Sequence, residues 1–255
     1  MVKESAFLFV SFVGLSLLVA LLFPLAVHAA GVRSGLTRGV ASRRALLAAA
    51  GTAAWMAATG AAAARGLLRF DTAPPTFMLL VAAIFAVALG VGFSPLGRRL
   101  AAGVPLAVLV AAQGFRFPLE LLLHQAYVEG LMPVQMSFSG LNFDILTGIS
   151  ALVVAPLVAR GVLGVRAVRV WNVAGILLLA NIVTIAMLST PTPLRVFHAE
   201  PANVWVAAFP YVWLPAVMVA TALLGHVLVA RRLRMEAEAR AGAAATTGKA
   251  AVGIA

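Results

Sequence analysis

Seven long apolar stretches divide this chain of 255 residues, and basic residues collect in every second gap between them. A helix crosses the ~30 Å hydrocarbon core of a bilayer with about 20 residues, because each residue advances it by ~1.5 Å. The stretches run from Ser5 to Ala29, Ala45 to Ala64, Thr76 to Phe93, Leu100 to Tyr127, Asp144 to Val162, Val170 to Ser189 and Val204 to Ala230. Hydrophobic residues make up 63% of the chain and charged residues 11%, a balance that a water-soluble domain of this size does not reach. The expected fold is an all-α integral membrane protein: a seven-transmembrane helix bundle over residues 1–234. The stretch 235–255 is charged and then rich in Ala, Gly and Thr, without apolar periodicity, and reads as a disordered cytoplasmic tail.

Orientation follows from the arginines. The first, third and fifth loops and the C-terminal tail hold 14 of the 19 Lys and Arg side chains, and loops rich in these residues stay in the cytoplasm. The expectation is an N-terminus outside and a C-terminus inside. The formal charge of +11 is then a property of short juxtamembrane loops, with attraction to anionic lipid as an accompaniment, and nucleic acid is not among the expected partners. Val27-His28-Ala29 loosely resembles a signal-peptide cleavage site. The apolar run before it is longer than a signal core, and cleavage there would leave a four-arginine loop outside. Cysteine is absent, which removes disulfides, thiolate ligands and cysteine nucleophiles. Arginine outnumbers lysine 17 to 2, a high-GC coding bias that points to a bacterial inner membrane.

Within the fourth stretch, Gln113, Arg116, Glu120, His124 and Tyr127 follow one another at spacings of three and four, which puts them on one helical face. Their neighbours are strongly apolar, so this face must meet protein or a water-filled cavity. Two readings stay open: an Arg116–Glu120 pair that satisfies itself, or a pocket lined by ionisable groups. Pro118 removes one backbone bond and is expected to kink the helix.

The segment from Val134 to Ile145 alternates apolar and polar residues around Ser139-Gly140 and reads as an extracytoplasmic β-hairpin. Phe138 would pair with Leu141, Met136 with Phe143 and Val134 with Ile145, forming an apolar face over the outer mouth. Asp144 is expected to cap the next helix. The loop before the last stretch adds Arg195, His198, Glu200 and Asn203 on the same side, and Trp205, Tyr211 and Trp213 mark the outer interface.

His124, His198, Glu120 and Glu200 together have the chemistry of a zinc site, although no local metal motif supports it. His28 and His226 fall near one level and are the only candidates for haem ligation. No cofactor is expected from these signals. No serine-hydrolase turn and no phosphate-cradling loop is present.

The run LELLLHQAYVEGLMPVQMSFSGLNFDILTGISA, with VWNVAGILLLANIV and EPANVWVAAFPYVWLP after it, resembles a family of uncharacterised bacterial multi-spanning membrane proteins. The resemblance extends from about Arg116 to Arg232. It implies a membrane location and carries no activity or catalytic residue. The expected function is binding of a small or lipid-like ligand in an outer-facing polar pocket, as a sensor, transporter or accessory subunit. The candidate pocket residues are Gln113, Arg116, Glu120, His124, Tyr127, Arg195, His198, Glu200 and Asn203. The alternatives are an intramembrane enzyme using Glu120 and His124, with or without metal, and a structural component of a membrane complex. The partners expected are the lipid bilayer and such a ligand, and the sequence leaves the oligomeric state open.

Overall fold

The computed structural model describes residues 4–252, with side chains through residue 242. Among these residues the regular structure is entirely helical: α1 (Ala6–Arg33), α2 (Arg38–Ala64), α3 (Thr76–Phe93), α4 (Pro95–Gly103), α5 (Leu106–Ala111), α6 (Arg116–Val128), α7 (Ile145–Ala159), α8 (Val165–Leu188) and α9 (Ala220–Val252). The last of these includes much of the segment that reads as a disordered tail in the sequence.

Among the described residues six helices, not seven, are long and apolar enough to cross a membrane: α1, α2, α3, the continuous run Leu106–Val128, α8 and the run Leu214–Gly242. The fifth apolar stretch is the one that falls short: it forms α7, whose 15 residues extend only about 22 Å. It starts short because the chain after α6 turns inward. Met132, Pro133, Gln135, Met136, Ser137, Asn142 and Asp144 are all buried in this connection, so α7 begins inside the bundle.

The expected β-hairpin is absent; the described residues contain no strand. Val134–Met136 forms one turn of 3₁₀ helix, and the amides of Ser137, Gly140 and Asn142 close tight turns on Val134 and Ser137 carbonyls. The polar side chains of the alternating segment turn inward, and of its apolar side chains Met136 alone is buried with them. Gln135, Ser137, Asn142 and Asp144 point into the protein while Leu141 and Phe143 are exposed. A bilayer takes the apolar side chains, and only protein can satisfy the polar ones. Irregular backbone at this depth survives when it is enclosed by helices, and the helix bundle encloses it here.

The fourth stretch is also not one helix. It breaks at Val104-Pro105 between α4 and α5, and tightens to 3₁₀ geometry over Ala112–Phe115. Pro118 has no amide to offer the Gly114 carbonyl, so the α-helical ladder is interrupted here. Near the other end of the chain, Leu214–Val219 forms a π turn that leads into α9. The Trp55 indole donates to the Ala216 carbonyl of that turn at 2.9 Å, and the Trp213 indole donates to Met56 at 3.0 Å. These two bonds fasten α2 to the start of α9.

The apolar core has two parts. One gathers Phe12, Phe77, Leu119, Leu179, Trp205 and Ala222; the other gathers Val27, Leu100, Val110, Val168 and Leu228. In three helical runs the buried polar residues fall between the two: Gln113 and Arg116 between Val110 and Leu119, Asn172 between Val168 and Leu179, and His226 between Ala222 and Leu228. The polar centre therefore sits at mid-depth, sealed above and below.

Candidate functional site

Arg116 begins α6 at the end of the 3₁₀ turn, and its side chain is 1% exposed. Its Nε donates to Asp144 Oδ2 at 2.6 Å, and its Nη2 donates to Asp144 Oδ1. This is a bidentate fork on a carboxylate, the geometry that suits guanidinium best. The remaining Nη1 meets His226 Nε2 at 2.8 Å. Arginine cannot accept, so Nε2 is the acceptor and the imidazole proton sits on Nδ1, which faces Asn172 Oδ1 at 2.9 Å. Asn172 Nδ2 returns to the His226 carbonyl at 3.2 Å. Four side chains from α6, the start of α7, α8 and α9 are thereby locked to one another.

Two glycines make this approach possible. A Cβ on Gly148 would lie 2.2 Å from the Phe117 amide nitrogen, so the first turn of α7 rests directly on the backbone of α6. A Cβ on Gly175 would lie 2.5 Å from His226 Cε1; its absence leaves α8 room for the imidazole.

Arg116 and Glu120 are not paired with each other, as the simplest sequence reading had them. Asp144 takes the guanidinium, because the inward loop brings it to the depth of Arg116. Asp144 does occupy the position before α7, but its carboxylate makes no capping bond to the helix amides. Glu120, 1% exposed, instead receives Asn142 Nδ2 on Oε2 at 2.7 Å. Asn142 Oδ1 accepts the Asp144 amide at 3.0 Å, which couples the two carboxylates through one side chain. Glu120 Oε1 has no donor among the described residues.

A cavity of about 80 Å³ opens beside this cluster. Arg116, Glu120, Asp144 and Asn203 contribute its polar groups, and Phe77, Ile84, Leu119, Met136, Leu179 and Met218 are among its apolar walls. Asn203 is 1% exposed; its Nδ2 donates to the Ala186 carbonyl at 2.9 Å and its amide to Ser189 at 2.9 Å. Its Oδ1 is buried without a partner.

Of the residues singled out from sequence, Gln113, Arg116, Glu120 and Asn203 are drawn into the interior. Gln113 donates to the Ala222 carbonyl at 3.2 Å, with its own Oε1 unpartnered. The others stay at the outer surface. His124 stacks on Phe138 at 4.4 Å and faces Ser139, with Tyr127 beside it. Arg195 bonds Glu200 at 2.9 Å and the Phe197 carbonyl, while His198 is exposed. The set His124, His198, Glu120 and Glu200 is not assembled, and the described residues hold no group of three metal-ligating side chains. His226 is engaged with Arg116 and Asn172 rather than with His28.

Outside the membrane-spanning runs three carboxylates are shifted toward their charged form. The Arg195 side chain and the Ala202 amide keep Glu200 below the usual carboxylate range, and Arg69 does the same for Asp71. Desolvation opposes ionisation of Glu129, but hydrogen bonds from Gln125 and from Ser5 outweigh it and lower its pKa. The Ser5 bonds tie the start of α1 to the end of α6.

Asp144, Asn142, Asn172 and His226 were not among the site residues expected from sequence. The signal was present in the run Asn142-Phe143-Asp144 immediately before an apolar stretch too short to span, and in a histidine within the last apolar run. Neither had a partner until the fold supplied one.

Residues 73–234 match the model of a family described as Domain of unknown function (DUF8737). No curated protein and no solved structure matches the chain. The matched segment includes α3 through the first part of α9, the inward loop and every residue of the Arg116 cluster, and the chain belongs to this family.

Proposed function

We propose that this is a multi-spanning protein of a bacterial inner membrane that binds a small, largely apolar molecule carrying a hydrogen-bond donor. The observation that carries the reading is a pair of acceptors without donors on residues that line one apolar cavity, Asn203 Oδ1, which is buried, and Glu120 Oε1. A buried acceptor such as Asn203 Oδ1 is unfavourable by ~1–3 kcal/mol while it lacks a donor, so a ligand that donates to it recovers that cost in addition to its apolar contacts. Arg116 is not the anchor for an anion, because Asp144 and His226 already occupy its donors. It holds the wall in place, and Glu120 and Asn203 meet the ligand. A carboxylate prefers an ammonium to a hydroxyl. An engineered cavity of ~150 Å³ in another protein takes benzene, so this one, of about half that volume, encloses about three heavy atoms of the ligand. Such binding serves a sensor, a transporter or an accessory subunit equally.

The test uses three probes of one size: butylamine, butanol and butyrate, each titrated against the detergent-solubilised protein while its melting temperature is followed. Butylamine is expected to raise it with a dissociation constant in the millimolar range, butanol to raise it less and butyrate not at all. Stabilisation by butyrate in preference to the amine would overturn the reading. The orientation, N-terminus outside and C-terminus in the cytoplasm, rests on the arginine distribution and has its own test. The chain has no cysteine, so Ser139→Cys and Ser34→Cys each introduce a single thiol. An impermeant maleimide added to intact spheroplasts is expected to label the first and spare the second; the opposite result would reverse the topology.

A further inference from the structure

A second opening lies away from the Arg116 cluster, between α2 on one side and α3, α4 and α9 on the other. The indole bonds of Trp55 and Trp213 fasten α2 at its outer half. Towards its N-terminus, Ala41 is the one buried residue before Met56, and a Cβ on the facing Gly31 of α1 would lie 3.2 Å from it. This half of α2 rests on α1 alone and stands off from α3 and α4. Two cavities fill the gap, of about 340 and 360 Å³. They share Phe23 and Ala48 as lining residues and follow one another along α2 as two parts of one groove.

The groove is graded along its length. Its deep part is lined by Phe23, Gly51, Trp55, Ile84 and Val87, without a charged group. Its shallow end is lined by Arg44 of α2 and Arg99 of α4. Both arginines are exposed, and neither guanidinium has an ion-pair or hydrogen-bond partner among the described residues. Arg231 and Arg232 at this end are engaged elsewhere, Arg231 with the carbonyls of Gly92 and Ser94 and Arg232 with Glu236 and the Ala102 carbonyl, while Arg43 and Arg98 do not line the groove. From Arg44 to Trp55 the groove follows α2 for about 16 Å, close to the ~15 Å depth of one leaflet.

We infer that this groove is a binding site for an anionic phospholipid, with its phosphate held between Arg44 and Arg99 and one acyl chain lying along α2 as far as Trp55. Two free guanidiniums on separate helices match a phosphate. An uncharged channel one leaflet long matches the chain below it. This site is independent of the cavity at Glu120. The small residues Ala48 and Gly51 act here as a seat for the chain and not as a helix contact.

Native mass spectrometry of the full chain, released from mild detergent with added phosphatidylglycerol or phosphatidylcholine, tests the assignment. Phosphatidylglycerol is expected to stay bound at least tenfold more than phosphatidylcholine. The double variant Arg44→Gln/Arg99→Gln should lose that preference, while Arg43→Gln/Arg98→Gln, which removes the same charge beside the groove, should keep it. Gly51→Trp, which fills the channel and leaves both arginines, should lower retention of phosphatidylglycerol as well. Equal retention of the two lipids, equal loss in both double variants, or full retention in Gly51→Trp would overturn the proposal. So would displacement of phosphatidylglycerol by millimolar inorganic phosphate, which would reduce the site to a headgroup contact.

Discussion

Arg116→Ala is expected to destabilise the protein by about 3–5 kcal/mol, because it leaves the Asp144 carboxylate buried with no cation. That is a large share of the ~5–15 kcal/mol that holds a typical fold together. The variant should lose most of its monodisperse, heat-resistant fraction in size-exclusion chromatography after detergent extraction. Asp144→Leu alone should do comparable damage by leaving the guanidinium with His226 as its only partner. The double variant Arg116→Met/Asp144→Leu removes both charges and keeps the volume filled, so it should recover much of the loss. Additive losses in the double variant would mean that the two residues do not act as a pair.

The second large effect is expected at Gly148. A methyl group there would collide with the α6 backbone at Phe117, and backbone cannot swing aside as a side chain can. Gly148→Ala should destabilise by about 3 kcal/mol, the upper end of the usual overpacking range, by pushing α7 and Asp144 away from Arg116. Gly90→Ala is the control. It lies in α3 with open space around it, and replacing glycine within a helix favours the helix by up to ~1 kcal/mol. A melting temperature unchanged by Gly148→Ala would show that α7 does not rest on α6 as described.

These two predictions also mark what the sequence made legible. The membrane class and six spanning runs could be read from apolar length, the family resemblance from particular runs of sequence, and the burial of Gln113, Arg116 and Glu120 from their shared helical face. The family match begins at residue 73, earlier than the resemblance near Arg116 suggested. The partner of Arg116 could not be read. Spacing along a helix favours Glu120, four residues away, whereas Asp144 reaches the guanidinium only because residues 129–144 fold inward. That fold was hidden by a rule carried over from water, in which the apolar side of an alternating segment faces the protein. Leu141 and Phe143 obey the opposite rule. The fifth stretch failed as a span for the same reason, since the chain that leads into it is buried in the bundle and leaves α7 only 15 residues. His226 was read by its position in the last helix alone; its role depends on Arg116 and Asn172, which arrive from two other helices.

The most direct measurement of the central claim is the butylamine dissociation constant of the wild-type protein beside that of Glu120→Gln, both obtained from ligand-dependent melting at mildly alkaline pH, where butylamine is still an ammonium ion. Glutamine keeps the size of the side chain and an oxygen for Asn142 while removing the carboxylate that would take up an ammonium. The account predicts that both proteins fold to the same melting temperature within a few degrees without ligand and that the variant binds butylamine at least tenfold more weakly, the loss of one charge-assisted bond. Equal affinity in the two proteins would contradict it, and would leave Glu120 as a member of the buried polar cluster with no ligand to meet.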